Sequence, residues 1–229
     1  MLADYHVHTE YSDDSTYCME HVITDAIRLG LEEICFTDHV DYGVKWDWDS
    51  GQEIKYRNGE PLANVDYPRY MEEIKKMQAL YGSKIRIRTG LEFGIQTHTI
   101  PMFRSLYHRY PFDFIILSIH QVNDQEFWTY PFPNVKPLIE EILKTVITDG
   151  KGIEVNTSSY RYGLSDTTPS REILKLYKAL GGKIITIGSD SHRPEHLGTY
   201  IKETKELLKE LDYTHFCTYE RMVPIFHPL

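Results

Sequence analysis

Cysteine is scarce in this sequence. The 229 residues include three cysteines, at Cys18, Cys35 and Cys217, which are odd in number and far apart along the chain. That spacing excludes a disulfide framework and a zinc site built from cysteine pairs. Cys35 lies in an apolar run, which favours a place in the core. The simplest compartment for such a chain is the reducing cytoplasm.

Basic residues are also in deficit. The sequence has 25 Lys and Arg against 34 Asp and Glu, which gives a formal net charge of -9. Nucleic acid and anionic membranes both favour a basic face, so neither is predicted as a partner. A small anionic substrate is still compatible with this balance, because bound metal ions can invert the local potential.

Long apolar segments are missing as well. No uninterrupted apolar run is long enough to span a bilayer, and no N-terminal apolar segment follows a basic stretch. The sequence therefore predicts no transmembrane helix and no secretory leader. Internal repeats, low-complexity tracts and linkers are not evident either, so one domain over residues 1–229 is expected.

Short apolar runs alternate with helical patterns along the chain. Several of these runs are rich in Ile and Val, as buried parallel strands are. Alternation of this kind predicts an α/β fold with a parallel sheet, and six or more units favour a barrel. The predicted strands are Leu2–Val7, Glu33–Thr37, Ile85–Glu92, Phe112–Ile119, Gly152–Asn156 and Lys183–Ser189.

Helices are predicted between these strands from apolar spacing and end signals. One helix stops at Gly30, and another is expected to start with Thr168 as N-cap and Pro169 at its first position. Residues 41–68 form a long polar insertion, which predicts either a lid or a disordered segment. The helix that stops at Gly30 is Met19–Leu29, and the other predicted helices are Pro68–Tyr81, Lys136–Thr148 and Glu195–Leu211.

Histidine and carboxylate residues collect where the predicted strands end. In parallel α/β folds these carboxyl ends form one face, and active sites lie there. A structural role would explain any one of these residues, but not their recurrence at five of the six strands. The candidates are His6, His8, Asp14, His39, Glu92, His120, Asp190 and His192.

This ligand chemistry predicts the class of metal. Imidazole and carboxylate without thiolate suit Zn, Mn or Fe. Eight candidates exceed what one tetrahedral ion needs, so two to three divalent ions are expected. Glu92 is the natural bridge, because a carboxylate offers two oxygens and a charge that offsets two cations. Clustered cations favour hydrolysis of a phosphate ester.

Six segments together resemble the polymerase-and-histidinol-phosphatase (PHP) superfamily, and within it the histidinol-phosphate phosphatases. They extend over most of the chain. The resemblance implies a distorted (β/α)₇ barrel with a trinuclear metal site. The segments are DYHVHTEYSDDS, EICFTDHVDY, RTGLEFG, DFIILSIHQVND, GIEVNTSSYRYG and IITIGSDSHRPEHLG.

The resemblance also implies how the ligands divide among three ions. The first ion would be held by two histidines and two carboxylates, the second by Asp14, His39 and His192, and the third by Glu92 and His120. The first set consists of His6, His8, Glu92 and Asp190.

One segment departs from the family pattern. The family has a further strand after the His120 segment, and it ends in a histidine that completes the third site. Here no histidine lies between His120 and His192, and Tyr130 is followed almost at once by the next predicted helix. The sequence therefore predicts a barrel without one strand–helix unit near residue 130, through a deletion or an omitted segment.

The resulting hypothesis is a metal-dependent phosphoric monoester hydrolase. The resemblance implies hydrolysis of L-histidinol phosphate to L-histidinol and phosphate in histidine biosynthesis. Asp190, His192 and Glu92 are the predicted catalytic residues, and Arg161 and Arg193 are predicted to bind the phosphate of this small-molecule ester. Two alternatives stay open: a PHP-type phosphodiesterase or exonuclease acting on nucleotides, and a catalytically inactive metal-binding relative.

Overall fold

The computed structural model describes residues 1–57, 59–126 and 136–229. Its main feature is a curled parallel sheet, in which β1 and β11 are joined by a bridge from Val7 to Ser191. The strand order is β10 (Ile153–Asn156), β11 (Ile185–Gly188), β1 (Ala3–Val7), β2 (Glu33–Phe36), β6 (Arg86–Gly94) and β7 (Phe114–Ser118). The two-residue strand β3, His39–Val40, pairs with Glu92 and Phe93 of β6.

The remaining described strands form hairpins outside the parallel sheet. One hairpin lies within the 41–68 insertion, one follows β7, and one ends the chain. Tyr5 of β1 accepts a hydrogen bond from the backbone N–H of Tyr219 at 2.7 Å, so the C-terminal hairpin packs against the sheet. The hairpin strands are β4 Tyr56–Arg57, β5 Glu60–Pro61, β8 Gln121–Val122, β9 Gln125–Glu126, β12 His215–Glu220 and β13 Val223–Pro228.

The helices lie between the parallel strands, and local sequence explains their ends. Gly30, with φ of 77°, ends α1, and the side chain of Asp66 accepts a hydrogen bond from the N–H of Arg69 at the start of α2. Buried apolar faces such as Tyr70, Ile74 and Met77 pack α2 against the sheet. The helices are α1 Met19–Leu29, α2 Tyr67–Tyr81, α3 Ile100–Arg109, α4 Lys136–Thr148, α5 Arg171–Ala179 and α6 Ile201–Glu210.

The prediction for the start of α5 is wrong. Ser170 is the N-cap, and its hydroxyl accepts a hydrogen bond from the N–H of Ile173. Thr168 instead pairs with Asn156 in an antiparallel bridge, and the Thr168–Pro169 peptide is cis. Long-range pairing with β10 therefore takes Thr168 out of the helix that its sequence favours.

The predicted helix Glu195–Leu211 is also shorter than expected. Residues 194–196 form a 3₁₀ turn, and α6 begins only at Ile201. Gly198 and Tyr200 both have positive φ, which an α-helix does not allow. Helix α3 and the C-terminal hairpin had no predicted counterpart.

The 41–68 insertion is ordered in its described residues, so the alternative of a disordered segment is wrong. Asp47 accepts hydrogen bonds from the hydroxyls of Tyr42 and Tyr67 and from the side-chain amide of Asn64. Trp46 also forms a bridge to Ala63. A role as a moving lid stays a prediction.

The parallel sheet does not close among the described residues. No described strand pairs with the outer edge of β7, and the outer edge of β10 has only the bridge from Asn156 to Thr168. Leu117 and Ile119 beside the β7 edge are 65% and 58% exposed. The strand–helix unit predicted to be missing would lie here, but residues 127–135 at its centre fall outside the described part of the chain.

No helix in the described ranges is long and apolar enough to cross a membrane.

Candidate metal centre

The eight predicted ligands come together at the carboxyl ends of the parallel strands. Most lie in a strand or within four residues of its end, so the sheet fixes where their side chains meet. The backbone register pairs His39 of β3 with Glu92 of β6, which places these two side by side. His6 and His8 come from β1, His39 from β3, Glu92 from β6, and His120 from the end of β7. Asp190 and His192 follow β11, and Asp14 lies in the loop after β1.

Glu92 lies at the centre of this cluster and is 3% exposed. Its Oε2 atom is 3.2 Å from Nε2 of His6, 3.0 Å from Nδ1 of His39 and 3.6 Å from Nε2 of His8. Its Oε1 atom is 3.2 Å from Nε2 of His120. The two oxygens therefore face different groups of imidazoles, as a bridging carboxylate requires.

The remaining ligands flank Glu92 on two sides. Oδ1 of Asp190 lies 3.6 Å from Nε2 of His6 and 3.5 Å from Nε2 of His8. On the other side, Oδ2 of Asp14 lies 3.4 Å from Nε2 of His39 and 3.1 Å from Nε2 of His192. The division into sets stays a prediction, because His8 also stacks on His39 and His192 at 4.2 and 4.1 Å and so lies between the first two sets.

Several atoms here that could bind metal are buried and lack a hydrogen-bond partner among the described residues. They are Nε2 of His6, Nε2 of His8, Nδ1 of His39 and Oε2 of Glu92. A buried polar atom without a partner is costly, and it is rare unless something else satisfies it. Because these four atoms face one another, the residues fit a metal ion bound among them.

The electrostatics of the cluster point the same way. Burial lowers the pKa of His8 to about 3, so its ring is neutral and free to bind metal at neutral pH. Burial raises the pKa of Glu92 and of Asp190, but nearby histidines, His6 foremost, lower both well below the ordinary range. Both carboxylates are therefore ionised, and their charge favours bound cations. Burial lowers the pKa of His6 and of His39, but the neighbouring carboxylates outweigh it and raise both well above the ordinary value, so a metal ion would displace protons from these two rings.

Two residues that sequence reasoning missed orient predicted ligands. Nδ1 of His6 lies 2.9 Å from Glu154, and Nδ1 of His120 lies 2.8 Å from Asp41. A carboxylate on one ring nitrogen fixes the tautomer and leaves the other nitrogen to face a metal. Asp41 had one sequence signal, because it follows His39 by two residues and so shares its strand face.

The predicted phosphate-binding arginines lie at the edge of the site. Arg161 donates from Nη1 to the carbonyl of Ser189 at 2.5 Å and from Nη2 to the carbonyl of Asp190 at 2.9 Å. These bonds hold the segment after β11, where Asp190 has a φ of 55°. Arg193 is exposed beside His192. Substrate binding by either arginine stays a prediction.

Comparison with known proteins gives the family. The model of the PHP domain matches residues 4–135, which is more than half of the chain. The chain belongs to the PHP domain family. The match includes six of the eight predicted ligands, and Asp190 and His192 lie beyond it.

Members of this family with similar sequences share one name. The chain is 27% identical to the histidinol-phosphatase of Lactococcus lactis, over 96% of this chain and 94% of that protein. It is 25% identical to a Thermotoga maritima protein named probable histidinol-phosphatase, over 93% and 94%. The first alignment runs over 269 positions, so the L. lactis protein has at least 40 residues without a counterpart among these 229.

The fold comparison agrees with the sequence comparison. The chain superposes on the crystal structure of the L. lactis histidinol phosphate phosphatase with a TM-score of 0.78 at 26% identity, covering 98% of each chain. That structure is a complex with zinc, L-histidinol and phosphate. The curled sheet described above therefore forms a half-barrel that matches the PHP-type (β/α) barrel fold.

Proposed function

We propose that this PHP protein is a metal-dependent phosphatase that hydrolyses L-histidinol phosphate to L-histidinol and phosphate. The observation that carries the proposal is the convergence of four buried, unpartnered donor atoms at Glu92. They lie in the fold that binds zinc, L-histidinol and phosphate in the L. lactis enzyme. With that substrate the protein would act in histidine biosynthesis in the cytoplasm.

The family resemblance implies the ligand sets, and the contacts around Glu92 support them. One ion would be bound by His6, His8 and Asp190 together with Glu92, a second by Asp14, His39 and His192, and a third by Glu92 and His120. Zn, Mn and Fe all suit these donors. When bound, the ions would supply a nucleophile at neutral pH and stabilise charge on the phosphoryl oxygens.

The side chains of the chain itself would bind and orient the substrate. Arg193 is exposed next to His192 and would contact the phosphate, while Arg161 would do so with the part of its guanidinium that the backbone carbonyls leave open. The low pKa of Asp190 favours an ionised ligand over a proton donor at neutral pH. Asp190 would then act as a metal ligand rather than as the source of the proton that the leaving oxygen needs.

Phosphate release from L-histidinol phosphate, measured with metal content per chain, tests this proposal. We expect turnover with Zn²⁺ or Mn²⁺, and Glu92→Gln should lose bound metal and more than about 100-fold of kcat. That loss exceeds the cost of changing a residue that only supports a ligand. The exposed His215→Ala is the matched control and should keep wild-type metal content and rate.

Three results would contradict the proposal. Faster hydrolysis of nucleotide esters than of L-histidinol phosphate would favour a phosphodiesterase or exonuclease. Full metal content without release of phosphate would favour an inactive relative. Full metal content and normal turnover in Glu92→Gln would refute the bridging role.

A further inference from the structure

Lys45 is a buried cation that contacts two carboxylates next to the predicted metal ligands. Its side chain is 6% exposed, and its Nζ lies 2.7 Å from Oδ1 of Asp13 and 2.8 Å from Oδ2 of Asp41. A buried ammonium is costly unless it is paired, and removing it would take the cation away from the buried carboxylate of Asp41 and the partly buried one of Asp13. The pair of contacts therefore links two segments that the sequence separates.

Asp41, one partner of Lys45, has both carboxylate oxygens engaged. Oδ1 accepts from Nε2 of Gln121 at 2.8 Å and lies 2.8 Å from Nδ1 of His120, while Oδ2 binds Lys45. With its lone pairs used in this way, Asp41 is better suited to orient His120 than to bind metal. The imidazole is held with Nε2 toward Glu92.

Asp13, the other partner, precedes the predicted ligand Asp14. The carboxylate of Asp14 faces His39 and His192. Asp14 itself lies in a loop and its side chain is half exposed, so its position depends on neighbours that hold the loop. The ion pair between Lys45 and Asp13 is one such anchor.

We infer that Lys45 is a positioning residue that holds two parts of the metal centre at once, His120 through Asp41 and Asp14 through Asp13. The inference rests on the proposed ligand set. It gives the 41–68 insertion a role in the reaction, because Lys45 lies in that insertion and would support the ligands through Asp13 and Asp41.

A simpler role for Lys45 would be to anchor the insertion. The two roles differ in what they predict for Tyr67, whose hydroxyl donates to Asp47 at 2.7 Å within the same insertion. Tyr67→Phe removes an anchor of the insertion without touching Asp13, Asp41 or the predicted ligands. It is therefore the matched control for Lys45→Met.

The experiment measures the affinity for Zn²⁺ by competition with a chelator, together with kcat and KM for L-histidinol phosphate. We expect Lys45→Met to lower the affinity for the most weakly bound Zn²⁺ by about 10- to 100-fold, the usual effect of removing a residue that orients a metal ligand. In the metal-loaded protein kcat should fall more than KM changes. Lys45→Arg should restore part of the Zn²⁺ affinity and part of kcat. Tyr67→Phe should keep the wild-type affinity.

A second variant keeps the test decisive if Lys45→Met does not fold. Asp41→Asn preserves the shape of the side chain and removes the charge that Lys45 balances. It should therefore lower the affinity for the same Zn²⁺ ion. If both variants fold, their effects should be less than additive when combined.

The inference fails if Lys45→Met and Asp41→Asn bind Zn²⁺ as the wild type does, or if Tyr67→Phe loses as much affinity. Failure of the proposed function is a different result, because the wild-type protein itself would then bind no metal or release no phosphate.

Discussion

His6 lies between two glutamates, with Nδ1 2.9 Å from Oε1 of Glu154 and Nε2 3.2 Å from Oε2 of Glu92. His6 and Glu154 are 148 positions apart in the sequence, and the neighbouring strands β1, β11 and β10 bring them together. One carboxylate fixes the ring, and the other lies where a metal would be shared. Glu154 therefore orients His6 through Nδ1, the ring nitrogen that faces away from Glu92.

Replacing Glu154 by Ala should weaken metal binding without unfolding the protein. The free imidazole of His6 could then rotate or change tautomer, and we expect a loss of about 10- to 100-fold in affinity for Zn²⁺. Competition with a chelator measures it. Glu172→Ala, an exposed carboxylate in α5, is the control and should leave the affinity unchanged. Equal affinities in the Glu154→Ala and wild-type proteins would refute the orienting role.

Removal of metal should lower the thermal stability of the wild-type protein. An ion that binds only the folded state stabilises it by about 2.7 kcal/mol when its concentration is 100 times its dissociation constant. For a chain of this size that energy corresponds to about 5–10 °C in Tm. Calorimetry with Zn²⁺ and then with excess chelator checks the shift. Glu92→Ala should show almost no shift, and a shift of wild-type size in that variant would contradict the proposed site.

Adjacent residues of β7 should differ sharply in their contribution to stability. Ile116 is 7% exposed and packs in the core, whereas Leu117 is 65% exposed at the edge of β7 that no described strand covers. We expect Ile116→Ala to lower the free energy of unfolding by about 2–4 kcal/mol and Leu117→Ala by less than about 1 kcal/mol. Urea unfolding gives both values. Comparable losses would mean that the outer edge of β7 is covered.

The sequence by itself determined the strand–helix alternation, the bounds of α1 and α4, and the residues that meet at the carboxyl ends of the strands. These features follow from local physics. Apolar runs and helix end signals act within a few residues, and the parallel fold then brings strand ends to one face. All eight predicted ligands lie in one cluster for that reason.

Only the tertiary structure decided which residues orient and support those ligands. Glu154 reaches His6, and Lys45 pairs with Asp13 and Asp41, through contacts between segments far apart in the sequence. No periodicity or spacing encodes such a pair, because its geometry depends on how strands and loops pack. The same reason explains why Thr168, a good N-cap by sequence, pairs with β10 instead of starting α5. Local propensities are worth about 1 kcal/mol, and packing overrides them.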